Sequence, residues 1–219
     1  MGDGTRRLHL EPLTRQISAE TRPIWQRLRE NAVRGTNLKP WSQGDDNGLC
    51  GLFATVNAVR WLWPELRKKT GEDEEVAALP LHLVRDRLSP EQFRSLYLDG
   101  DELPLISQLL RWTVDWLHTR SFDASLTLPF ETMPPADKES YWSRLLPLIA
   151  PRNAVAVVGF DDPWPHWTVA TNKTGPFSVR LFDSDVFKSV DMRRTVIGKT
   201  DGTTWEIDPT AVVIVQRNP

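Results

Sequence analysis

A chain of 219 residues, 40% of them hydrophobic and ten of them Trp, can bury one sizeable core and fits a single domain over 1–219. A formal net charge of −2, with no basic run longer than "LRKK" (66–69), argues against a phosphate-binding surface, so no nucleic-acid partner is expected. No apolar stretch has the length of a membrane span, "MGDGTRRLHLEPL" lacks a signal-peptide core, and a single Cys forms no internal disulfide; the expectation is a cytoplasmic protein with no membrane partner, signal-independent secretion as an effector staying open.

Residues 1–17 are polar and read as an irregular N-terminal arm, and residues 1–20 are the one candidate for a propeptide. "SAETRPIWQRLREN" (18–31) has Ser18 or Thr21 as a cap and Pro23 in the first turn, which predicts a short helix. Residues 32–48 read as a loop, in which Asp45, Asp46 and Asn47 shape a turn. Residues 50–63 carry only Thr55, Asn57 and Arg60 as polar side chains. A helix apolar almost all round is a buried one, and Pro64 limits it. "GEDEEVAALP" is an acidic surface segment. "SPEQFRSLYL" (89–98) opens with a helix-start signature. In 101–119, apolar residues at 105, 106, 109, 110, 114 and 117 follow helical spacing, and 138–150 reads as another helix.

The texture changes at 153. "NAVAVVGF", "HWTVAT", "FSVRLFD", "RRTVIG" and "TAVVIVQR" are short, rich in Val and aromatics, and bounded by Gly, Pro, Asn and Asp, which predicts strands. Helices first and strands second, without βαβ alternation, is an α+β layout with helices packed on an antiparallel sheet.

Chemistry concentrates at "WSQGDDNGLCGLF" (41–53). If the helix starts at 49–51, Cys50 lies where unpaired N–H groups and the helix dipole favour a thiolate. A base is needed next. His9 is in the arm; His82 and His118 lie in or beside helical segments. His166 differs, because it opens a strand after "DDPWP". A pairing centred between Thr174 and Gly175 sets Thr168 against Leu181, Ala170 against Val179 and His166 against Asp183. A carboxylate there orients the imidazole; a one-residue bulge makes Asp185 the competitor. The Cys50 N–H is one oxyanion donor by position, and Gln43 is the nearest side-chain donor upstream.

Gln43, then "DNGLCGLFA" before a buried helix, then a strand-opening His166-Trp167, then Asp183 closing the next strand, resembles the papain-like cysteine peptidases. Within them it is most similar to the bacterial branch that processes double-glycine leader peptides, here stand-alone with no transporter. The likeness covers roughly 40–64 and 150–190. It implies a papain-like fold with a central helix bearing the nucleophile Cys50 and a sheet bearing the base His166 and the orienting Asp183, with Gln43 as oxyanion donor. The Gln lies seven residues before the Cys, where the family has six.

The reading is therefore a thiol hydrolase, a cysteine peptidase or isopeptidase, whose partner is a protein or peptide substrate. Two rivals stand beside it. One is a Cys-dependent deamidase, transglutaminase or acyltransferase, acting as an effector or toxin on the same fold. The other is a binding module on a retired peptidase fold. No cofactor is implied. "DSD" (183–185) lacks further metal ligands at suitable spacing, and the Cys and His are too far apart for a zinc motif. Asp45 or Asp46 with Asp161 and Asp162 would favour a basic substrate. Trp41, Trp164 and Trp167 are core residues or shields over the His/Asp hydrogen bond.

Overall fold

The computed structural model describes residues 40, 49–67, 69–70, 73–74, 76, 78–99, 103–162, 165–185, 187–198 and 204–219. The expected arm and helix over 1–31 and nearly all of the loop over 32–48 lie outside these residues, and Gln43 with them.

Helix α1 (Cys50–Leu62) is the buried helix that its sequence predicts: every residue except Trp61 is buried. The Thr55 hydroxyl donates to the Gly51 carbonyl at 2.9 Å, which satisfies it inside the helix. Pro64 opens a single 3₁₀ turn (Pro64–Arg67) directly after the helix. A small antiparallel pair follows, β1 (Lys69–Thr70) with β2 (Asp73–Glu74). Then come α2 (Ala78–His82), which runs into a π-turn (Leu83–Arg87), and α3 (Pro90–Asp99). A reciprocal box starts α3, with the Gln92 N–H donating to Ser89 Oγ at 3.1 Å and the Ser89 N–H donating to Gln92 Oε1 at 2.9 Å. Helix α4 (Leu103–His118) matches its apolar spacing. Strand β3 (Ala124–Thr127) was not expected. Helix α5 (Lys138–Ile149) is capped by Asp137, whose carboxylate accepts from the Ser140 N–H.

Six strands complete the chain: β4 (Ala154–Asp162), β5 (His166–Gly175), β6 (Ser178–Leu181), β7 (Ser189–Asp191), β8 (Thr195–Ile197) and β9 (Trp205–Arg217). The main sheet runs β3-β9-β4-β5-β6-β7 with antiparallel neighbours, and β8 adds to β9 in parallel. The chain is thus α+β, with helices on an open, mainly antiparallel sheet.

That sheet must curl. In a flat sheet β7 and β8 would lie five strand spacings apart, about 24 Å. The chain between them, Asp191 to Thr195, reaches at most about 14 Å. Strand twist bends the two edges toward each other, and the 3₁₀ turn Met192–Arg194 closes the gap.

The two faces of the sheet bury separate cores. On one, Val155 and Val157 of β4 and Val213 and Val215 of β9 pack with α1 and α4. On the other, Ala156 and Val158, Val212 and Ile214 pack with α5. Strands buried on both faces have no polar alternation, which explains the unbroken apolar runs "AVAVV" and "AVVIV". Gly159 lets β4 approach the first core closely: a Cβ there would meet Ala211 Cβ at 2.9 Å and the Trp167 ring at 3.3 Å. Gly159→Ala should therefore destabilise the fold by about 1–3 kcal/mol through overpacking, readable as a lower urea midpoint with an unchanged m-value.

Candidate active site

Three of the four expected site residues meet. Cys50 opens α1. Its N-cap is Leu49, which offers no side-chain acceptor, and the first turn carries no carboxylate. The positive end of the dipole therefore faces the sulfur without a competing acidic side chain from the helix. Helix α1 packs along β5, and β5 begins at His166. The imidazole Nε2–H donates to Asp183 Oδ1 at 2.6 Å. With Nε2 engaged, Nδ1 is the nitrogen left for Cys50, which also hydrogen-bonds the imidazole. The three side chains are nearly closed to solvent, with Cys50 3%, His166 7% and Asp183 1% exposed.

The route to this contact differs from the expected pairing. The β5–β6 turn is Pro176–Phe177, not a centre between Thr174 and Gly175, because Pro176 presets the first turn position. Observed partners are Gly175 with Ser178, Lys173 with Val179, Asn172 with Arg180 and Ala170 with Leu181, with two one-residue shifts along the ladder. The last ladder bond joins the Phe182 N–H to the Val169 carbonyl at 2.8 Å. Continuing that register would set Asp185, not Asp183, directly opposite His166. Yet the net displacement at the site end is two residues, and side chains alternate with period two, so Asp183 stays on the side of Leu181 and reaches His166 diagonally. Asp185 is exposed; its N–H donates to Asp183 Oδ2 at 2.9 Å. One carboxylate oxygen therefore ends the strand in an Asx turn while the other holds the imidazole.

Burial on its own would lower the His166 pKa. The hydrogen bonds and charges of Asp183 and Cys50 outweigh it and raise the value to about 10. A group whose folded pKa is raised contributes stability that is complete below its unfolded value, about 6.5. That contribution is lost as pH climbs through the folded value. In a Cys50→Ser background the sulfur's share is gone and Asp183 alone opposes burial, so the slope of stability against pH above about 6.5, at most about 1.4 kcal/mol per unit, reads the Asp183 share. Asp183→Asn in the same background should flatten that slope in urea melts at matched pH.

Phe187 was missed by the sequence reading. Its ring stands edge-on to His166 with centroids 5.6 Å apart, and Trp205 packs on its far side at 4.8 Å. The signal was local: an aromatic four residues beyond the Asp, in a loop whose other aromatic, Phe182, turns to the opposite face. Trp167 belongs to the core beneath α1, packed at Gly159, the first of its two expected readings. Trp41 and Trp164 lie outside the described residues, as do Asp45, Asp46 and His9. Asp161 is exposed beside the site end of β4. His82 pairs with Asp86 at 3.1 Å, and His118 lies 3.7 Å from Asp123. Among the described residues, no group of three His, Cys, Asp or Glu side chains is placed to hold a metal ion. Nor is any described helix long and apolar enough to cross a membrane.

A scan against protein-family models gives no match, and a search of curated proteins gives none either. The functional reading therefore rests on the residues and their geometry.

Proposed function

We propose that this chain is a papain-like thiol hydrolase acting on a peptide or isopeptide bond of a protein or peptide substrate, in the cytoplasm or as an effector. The observation that carries the reading is the continuous line Cys50–His166–Asp183, with the sulfur at a helix N-terminus and the carboxylate behind the imidazole. In the first step the Cys50 thiolate attacks the carbonyl carbon and forms a C–S bond. The N–H groups at the start of α1 hold the developing oxyanion, with Gln43 as the expected side-chain donor. His166, protonated, gives its proton to the departing amine as the C–N bond breaks. Water, deprotonated by the now neutral His166, then cleaves the thioester and restores the thiol. Asp183 keeps the imidazole oriented and stabilises its charge throughout.

The acceptor in the second step sets the reaction class. A protein amine in place of water gives transamidation. Attack on a Gln side-chain amide followed by water gives deamidation. Mass spectrometry of a treated target separates cleavage, a cross-link and a shift of about 1 Da. The near-complete burial of Cys50 favours a further reading, a binding module on a retired peptidase fold. Alkylation with iodoacetamide between pH 5 and 9 decides against one of them. A working site should label rapidly at acidic and neutral pH, because an imidazolium partner keeps sulfur ionised. A rate that tracks an ordinary thiol with pKa about 8.5, and matches the denatured protein, would leave only the binder.

A further inference from the structure

The nucleophile helix is pinned at the end remote from Cys50. Its last carbonyl, Leu62 O, accepts from Arg217 Nη1 at 3.1 Å. The same guanidinium forks onto Glu65 of the following turn, with Nη1 3.1 Å from Oε2 and Nη2 2.9 Å from Oε1. A cation at a helix C-terminus satisfies an orphan carbonyl and suits the dipole, and the two-pronged fork fixes direction as well as distance. Arg217 is itself held: its N–H donates to the Asn153 carbonyl at 2.8 Å, and its carbonyl accepts from Asn153 Nδ2 at 2.9 Å. It ends β9, which pairs with β4, which pairs with β5, whose first residue is His166.

From these contacts we infer that Arg217 is a positioning residue for Cys50, tying the far end of the nucleophile helix to the sheet that carries the base. The inference rests on the proposed triad and adds the part that sets its spacing. Helix α1 has 13 residues, so Leu62 and Cys50 are about 18 Å apart along the axis. A tilt of about 3° at Leu62 displaces the sulfur by about 1 Å over that length. Misplacement on that scale costs up to about 10²-fold in a reacting geometry. The Arg217 and Glu65 side chains are 39% and 30% exposed, so their pairing adds little to global stability. Position and stability are separable here.

The test compares wild type, Arg217→Lys and Arg217→Met by iodoacetamide alkylation from pH 5 to 9, with a thermal melt of each. Arg217→Met should lose the acid limb of the profile, falling about tenfold or more at pH 6, while its melting temperature moves by only a few degrees. Arg217→Lys, which keeps the charge and loses the fork, should fall between. A profile for Arg217→Met that overlays the wild type overturns the inference, whatever the melt reads. If that variant does not fold, Glu65→Gln decides: it weakens the fork and leaves the Leu62 bond, so a partial loss of the acid limb supports the inference and an overlay defeats it. Absence of the acid limb in wild type defeats the triad and this inference together, whereas an intact wild-type limb with unaffected variants defeats Arg217 alone.

Discussion

Asp183→Ala should lower the melting temperature by about 6–20 °C. The carboxylate is 1% exposed and the imidazole 7%, so removing the carboxylate leaves the imidazole Nε2 buried and unmatched. Breaking such a pair costs about 3–5 kcal/mol, and a chain of this length shifts by about 2–4 °C per kcal/mol. The Asx turn is lost as well, because Asp183 Oδ2 is the acceptor for the Asp185 N–H. Asp183→Asn keeps the volume and one acceptor, so its melting temperature should stay much closer to wild type. A scan of both variants at neutral pH checks this. Equal, small shifts would mean that the 2.6 Å contact contributes nothing to the fold.

His166→Gln separates chemistry from folding. The Gln amide keeps a donor for Asp183, so the buried carboxylate is not stranded. What disappears, on the proposed mechanism, is a base that accepts and returns a proton. A positioned acid–base group contributes about 10²–10⁴ in rate, and turnover of an accepted acyl substrate should fall by that factor. The alkylation profile should lose its acid limb at the same time, since no imidazolium remains to hold sulfur ionised. Native circular dichroism with undiminished turnover would remove His166 from the mechanism and leave Cys50 without its base.

Much of the candidate site was legible along the chain because each part announces itself locally. An almost wholly apolar run behind a Gly/Asp/Asn turn means a buried helix, and Cys50 marks its first residue. A polar imidazole heading an apolar strand marks His166. The paired strands of the second half stood out for their Val and aromatic content. Strands β3 and β7 escaped notice because "ASLT" and "SVD" carry little of the Val and aromatic content that marks the other strands. Ser178–Leu181 proved shorter than the expected "FSVRLFD", since Phe177 belongs to the turn, Phe182 makes the last ladder bond and packs into the core with α1, and Asp183 leaves the ladder for the site.

What the amino-acid order determined by itself was therefore the identity of most elements and the residues Cys50 and His166 that open two of them, because propensity, capping and apolar periodicity are properties of neighbours in the chain. Which atoms face one another was decided only in the folded sheet. The ladder shifts that change Asp183 from a direct to a diagonal partner of His166 depend on where Pro176 places the turn. The edge of Phe187 against the imidazole and the reach of Arg217 to Leu62 depend on elements far apart in sequence. Sheet curl and side-chain reach are sums over many distant contacts, and no window of the sequence contains them.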